Sequence, residues 1–231
     1  GQRCGSTSMM QFLSQAKEVI TPKNNEQLFF FSNHFDASNN YKKYHLKFMY
    51  NLIKKIVGKK VFAEKTPEYC LEDVYLDRIY NYNNNIKIIF IFREPYKRIK
   101  SAFELYKKFD YEGSFENFIN DDDKKFSIKE FSLYSNIYNR IFKRFKIENV
   151  LIINFNELQT DLTKLKITKF LDIDYMNFTI PKANSFSSDE SAQNYFSAIN
   201  RKYGDTLEKD YKVFLDLFEK YEIKFNKYYK I

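Results

Sequence analysis

Near the start of the chain, Arg3-Cys4-Gly5-Ser6-Thr7-Ser8 sets a cation, a glycine and three hydroxyls ahead of Met9 to Val19, whose pattern predicts a helix. These residue types suit an anion. Backbone N–H groups at a helix start have no partner inside the helix, and the helix dipole favours negative charge there. Glycine lets a loop come close to phosphate-type oxygens. A helix N-cap at Ser6 or Thr7 accounts for the hydroxyls about as well. The loop departs from the nucleotide-hydrolase pattern G-x-x-x-x-G-K-[ST], because its cation comes before the turn and no lysine follows the last glycine.

Three further polar clusters each follow an apolar run. Glu64-Lys65-Thr66-Pro67 follows Lys60 to Ala63. Arg93 follows Ile86 to Phe92, with Ser101 eight residues on, about two helical turns away. Asn156-Glu157 follows Val150 to Phe155. Taken singly, an arginine after a strand reads as a surface ion pair worth roughly 0–1 kcal/mol. Three clusters at strand ends, together with the opening loop, predict one shared site. Cys4 and Cys70 each stand beside such a cluster; two cysteines make no disulfide framework, and reduced thiols are expected. The two histidines, His34 and His45, do not form a metal site by themselves.

The elements that position these clusters alternate. Gln27 to Phe31, Lys60 to Ala63, Ile86 to Phe92 and Val150 to Phe155 read as strands, and Ile86 to Phe92 is almost wholly apolar, as in a strand covered on both faces. Tyr44 to Val57, Tyr96 to Phe109, Phe131 to Phe145, Thr163 to Leu171 and Tyr211 to Tyr221 read as helices, with Pro95 suited to a first helical position. Alternation of this kind predicts an α/β domain with a mainly parallel sheet, and ligands in such folds sit at the C-terminal strand ends. No repeat, linker or composition break divides the 231 residues, so a single domain, 1–231, is expected. A strand normally leads into a loop like the first one, so a strand before Gly1 is also expected.

Hydrophobic residues make up 44% of the chain, a globular composition. The net charge of +8 favours anionic partners, although lysines mixed with Asp and Glu along the whole chain fit a solvated surface better than a nucleic-acid groove. With 25 Phe and 19 Tyr beside frequent Lys, Asn and Ile, the tyrosines are not read as a binding surface. No apolar run reaches membrane-spanning length and no signal peptide is visible, which points to the cytoplasm.

The loop Arg3 to Ser8 resembles the 5′-phosphosulfate loop of sulfotransferases that use 3′-phosphoadenosine 5′-phosphosulfate (PAPS). Ile89 to Ser101, with arginine ending a strand, proline soon after and serine eight residues on, resembles their 3′-phosphate segment. Glu64-Lys65-Thr66-Pro67-Glu68-Tyr69 is similar to the E-K-[ST]-P-x-Y block of the glycan-sulfating, heparan-type and bacterial branch. Asn25 to Phe30 is similar to that branch's K-E-x-x-F-F block, and Tyr134 and Phe155 to Leu158 match weaker downstream positions. The likeness runs to about residue 173.

The resemblance implies a P-loop-type three-layer α/β sandwich, with a mainly parallel sheet flanked by helices on both faces. It implies transfer of a sulfuryl group from PAPS to a hydroxyl or amine of a glycan or small metabolite, leaving adenosine 3′,5′-bisphosphate, with no metal. Arg93 and Ser101 would hold the 3′-phosphate, since a guanidinium donates two bonds to one oxyanion. Arg3, Cys4, Gly5, Ser6, Thr7 and Ser8 would hold the 5′ end. Arg3 and Lys65 would stabilise the charge growing on the bridging oxygen, and Glu26 would take the acceptor's proton. Loops at 32–60, 110–130 and 174–205 would shape the acceptor site.

Departures from the family pattern leave alternatives open. Arg3 stands where many members carry lysine, and Asn25 replaces the lysine before the catalytic glutamate. These changes motivate a nucleotide-binding protein of the same fold with weakened catalysis. His34 is a rival base. Lys182 to Ser185 or Arg201-Lys202 would have to supply the cover over the nucleotide. A P-loop kinase is disfavoured by the missing loop lysine and strand-end aspartate; nucleic-acid binding rests on charge alone.

Overall fold

The computed structural model describes residues 2–22, 27–32, 61–121, 126–174 and 192–231. Their elements, in chain order, are α1 (Ser6–Leu13), β1 (Val19–Ile20), β2 (Val61–Phe62), α2 (Asp73–Tyr82), β3 (Ile88–Phe92), α3 (Pro95–Lys108), α4 (Phe115–Asn120), α5 (Tyr134–Phe142), β4 (Val150–Asn154), α6 (Asp161–Leu171) and α7 (Ala192–Tyr229). Short 3-10 turns at Pro67–Cys70, Glu130–Ser132 and Phe155–Glu157 link them. The architecture is mixed α/β, and both described strand pairings are parallel.

β3 and β4 pair along their whole length, from Ile88 opposite Val150 to Phe92 opposite Asn154. Phe90, Ile91 and Phe92 are buried, as are Val150 to Ile153. The far edge of β4 is closed by a side chain: the Tyr221 hydroxyl on α7 accepts from Ile152 N (3.0 Å) and donates to Val150 O (2.9 Å). Phe214 and Phe218 of the same helix meet the Phe92 ring edge-on at 4.8 and 4.9 Å. Aromatic residues in this chain therefore fill the core that carries the central strands. β1 and β2 form a second parallel pair, Val19 with Val61 and Ile20 with Phe62. A cavity of about 470 Å³ is lined by residues of both pairs, with Met9, Met10, Val61, Ile89 and Ile91 in its wall beside Ser6 and Lys65.

Several expectations are corrected here. The mainly parallel sheet expected is seen, among the described residues, as two parallel pairs. The first helix begins three residues earlier than Met9 and ends at Leu13, and Val19, expected inside it, is a strand residue paired with Val61. Gln27 to Phe31 is not a strand; Leu28, Phe30 and Phe31 are buried, but their chain is held by side chains from the Glu64–Tyr69 block. The last helix runs from Ala192, well before Tyr211, so much of the 174–205 stretch read as loop is helical, as is Phe115–Asn120 within 110–130. The expected helix at Tyr44 to Val57 lies outside the described residues. No described helix is long and apolar enough to cross a membrane.

Candidate functional site

The opening loop turns on two left-handed residues, Arg3 (φ 61°) and Gly5 (φ 89°). Gly5 is the residue before the first helical turn, and its carbonyl accepts the first helical bond, from Met9 N at 2.9 Å. No side chain caps this helix, so Ser6 and Thr7 are not N-caps. The amides of Gly5, Ser6 and Thr7 find no acceptor among the described residues, and such amides form an anion-binding end. A methyl group on Gly5 would lie 2.9 Å from Leu158 Cδ2 and 3.0 Å from the Phe155 ring. Leu158 and Phe155 therefore fix how close the loop sits to the end of β4.

Arg93 ends β3. Its backbone is held on both sides by the buried Tyr134, whose hydroxyl donates to Arg93 O (2.7 Å) and accepts from Arg93 N (3.3 Å). The chain then turns at once into α3, because Glu94 caps it by accepting from Tyr96 N (2.9 Å) and Lys97 N (2.8 Å), and Pro95 fills the first helical position. The Arg93 guanidinium lies over the Phe155 ring, 4.5 Å from its centre, and its Nη1 donates to Arg3 O at 3.4 Å. Its Nε is buried with no hydrogen-bond partner.

Arg3 reaches across to α3, where its Nε donates to Ser101 O (3.0 Å) and Ser101 Oγ (3.2 Å). The two arginines and Ser101 thus form one corner, with the Arg3 side chain on the Ser101 side. Lys65, just past β2, donates to Thr7 Oγ1 at 2.7 Å and marks the loop end. Burial lowers the pKa of all three cations. The charge of Arg93 lowers Arg3 further, and that of Arg3 lowers Lys65 further. Among the described residues none of the three has a carboxylate within ion-pair distance. Mutually repelling cations of this kind are stabilised by an anion placed between them.

Other site residues act differently from expectation. The Cys4 thiol is fully buried, 3.4 Å from Gln2 O and 3.7 Å from the Tyr134 hydroxyl, so only its backbone is available to a ligand. Ser8 is buried as well. Thr66 Oγ1 accepts from Phe29 N (3.3 Å) and the Tyr69 hydroxyl accepts from Phe31 N (3.1 Å), so the rest of the Glu64–Tyr69 block tethers the segment that follows Glu26. Glu26 itself, His34 and Lys182 to Ser185 lie outside the described residues. Arg201 and Lys202 are engaged with Glu116 (2.8 Å) and Ile119 O (2.6 Å). Asn156 and Glu157 are exposed; the residues of that segment that reach the site are its apolar ones.

Sequence reasoning gave Arg98 no role. It is fully buried on α3, bonded to Ser132 Oγ (2.9 Å) and to Ile128 O, and fastens the chain before Tyr134 to the helix that carries Ser101. Position within a segment already read as a phosphate site hid it.

No protein-family profile matches the chain, and no curated protein matches it in sequence. Among solved structures it is similar to a sulfotransferase from Alicyclobacillus acidocaldarius, with a TM-score of 0.61, 19% identity and coverage of 87% of this chain and 91% of that one. It is also similar to the sulfotransferase domain of the Synechococcus PCC 7002 olefin synthase, with a TM-score of 0.54, 15% identity and coverage of 95% and 92%. The chain therefore shares the fold of these sulfotransferase structures.

Proposed function

We propose that this chain is a sulfotransferase that moves a sulfuryl group from PAPS to a hydroxyl or amine of a glycan or small metabolite. The observation that carries the reading is the cluster of Arg3, Arg93 and Lys65 around an uncapped helix start, with no carboxylate in ion-pair range among the described residues and a buried Arg93 Nε lacking a partner. The fold shared with the two sulfotransferase structures supports it. We read residues 1–231 as one domain and the two parallel pairs as parts of one sheet flanked by helices, in a P-loop-type sandwich.

The residues fit the donor. Its two anionic ends would be taken up by the Arg93–Ser101 corner and by the loop at Gly5 to Thr7. In this assignment Arg93 and Ser101, joined by Arg3, bind the 3′-phosphate. The amides of Gly5 to Thr7 and the Ser6 and Thr7 hydroxyls bind the phosphosulfate end, with the Cys4 and Ser8 backbone completing the loop. Lys65, fixed beside Thr7, faces the charge that grows on the bridging oxygen as the sulfuryl group leaves. Arg3 adds its positive charge but, as a guanidinium, cannot donate a proton to that oxygen. Glu26 takes the acceptor's proton. Such a mechanism relies on positioning and charge and assigns no role to a metal.

Thermal melting with adenosine 3′,5′-bisphosphate tests the binding half. At a hundredfold excess over Kd a ligand adds about 2.7 kcal/mol, which for a chain of this size raises Tm by roughly 5–11 °C. An unchanged Tm at millimolar ligand refutes the reading. Labelled PAPS offered to a panel of glycans, amines and small hydroxyl compounds tests the transfer half. Arg93→Ala should weaken binding, whereas Glu26→Gln should leave binding intact and abolish turnover.

A further inference from the structure

A carboxylate stands beside the Arg3–Arg93–Ser101 corner with no described donor at one of its oxygens. Glu104 lies three residues beyond Ser101 on α3, a spacing that places two residues on one helix face. Its side chain is 20% exposed, but Oε2 is buried without a hydrogen-bond partner. The other oxygen, Oε1, is 3.9 Å from Lys100 Nζ, at the outer limit of an ion pair. The charge of Glu104 acts on both Arg3 and Arg93, yet neither guanidinium comes within ion-pair distance of it. Burial pushes the carboxyl upward.

A buried acceptor with no donor is costly in any fold. Next to two guanidinium groups that would hold a phosphate, the donor it lacks belongs on the same ligand, close to that phosphate. On a ribose 3′-phosphate the nearest donor is the hydroxyl on the adjoining ring carbon. Resting on the reading of this corner as the 3′-phosphate site, we propose that Glu104 accepts a hydrogen bond from the ribose 2′-hydroxyl. Glu104 is then a specificity residue: it selects a ribose 3′-phosphate over the 2′-deoxy compound, which leaves Oε2 unpaired. It also selects against a 2′-phosphate, which brings a second negative charge to the carboxylate.

Calorimetric titration of the whole chain decides the matter. The ligands are adenosine 3′,5′-bisphosphate, its 2′-deoxy analogue and adenosine 2′,5′-bisphosphate. Wild type should bind the deoxy compound about tenfold or more weakly. In Glu104→Met the two 3′,5′-compounds should bind alike, while Lys100→Met should keep the discrimination, showing that loss of the neighbouring charge is not its cause. If wild type binds ribose and deoxyribose forms equally, the role of Glu104 is refuted while the cationic corner stands. Discrimination that persists in Glu104→Met refutes it too. If the ribose compound does not bind at all, the reading of the corner fails and takes this inference with it. Should Glu104→Met not fold, the wild-type comparison and Glu104→Gln, expected to discriminate less, still decide.

Discussion

Replacing Gly5 by alanine isolates what holds the anion loop in place. Two costs add. At φ 89° an L-residue loses about 1–2 kcal/mol relative to glycine. The new methyl group would sit 2.9 Å from Leu158 Cδ2 and 3.0 Å from the Phe155 ring, closer than carbon atoms tolerate. Leu158 is buried and the Phe155 ring lies under the Arg93 guanidinium, so relief by movement disturbs the core or the Arg3–Arg93–Ser101 corner. Overpacking of this kind costs about 1–3 kcal/mol. Together the two predict a loss of about 2–5 kcal/mol, read as a lower urea midpoint at unchanged slope, and weaker binding of adenosine 3′,5′-bisphosphate. Repeating the substitution in a Leu158→Ala background separates the costs. The part of the steric cost set by Leu158 should disappear while the Phe155 contact and the backbone part remain, so that Gly5→Ala there costs less than in the wild-type background. A Gly5→Ala chain that unfolds at the wild-type midpoint would refute the loop geometry on which the site rests.

Tyr134→Phe should lower unfolding stability by about 1–3 kcal/mol, because both Arg93 backbone groups lose their partner; equal midpoints for variant and wild type would contradict this. Lys65→Met tests the charge crowding in the cleft. Burial, then Arg3, lowers the Lys65 pKa from 10.5, so its protonated form weakens folding at neutral pH and ceases to do so as pH climbs through the lowered value towards 10.5. Thermal melts should therefore show the stability difference moving in favour of wild type with rising pH, and a constant difference would refute it. Asp77, unlike Lys65, stabilises the fold at neutral pH. Hydrogen bonding from Arg144 lowers its pKa, so its contribution is present above 3.8 and is lost as pH falls through the lowered value. Asp77→Asn should flatten the acid limb of the stability profile.

Legibility in the sequence followed burial more closely than conformation. The apolar run at Ile86 to Phe92 gave β3 because a strand covered on both faces needs apolar residues throughout. Gln27 to Phe31 looks the same in composition and buries Leu28, Phe30 and Phe31, yet hydroxyls from Thr66 and Tyr69 take the place of a strand partner. The first half of α7 was hidden by Asn200, Arg201, Lys202 and Gly204. Its core face, Ile199, Tyr203 and Leu207, recurs every fourth residue between them. At the candidate site, the cations and the glycine stood out because anion-binding chemistry restricts residue type. The supports were not. Phe155 under Arg93 and Leu158 behind Gly5 are ordinary apolar residues, and only folding shows what they support. Tyr134 was visible only as a weak likeness; its grip on Arg93 needed coordinates.

The contacts that hold the corner and the loop join residues far apart along the chain: 98 positions for Arg3 to Ser101, 90 for Arg93 to Arg3 and 58 for Lys65 to Thr7. During synthesis Arg3 leaves the ribosome long before Ser101 or Leu158 exists to receive it. Contacts of such separation form late, after the entropy of closing the intervening chain has been overcome. A growing polypeptide thus cannot assemble the full corner, with Arg3 on Ser101 and Arg93 over Phe155, until β4 and Phe155 have emerged.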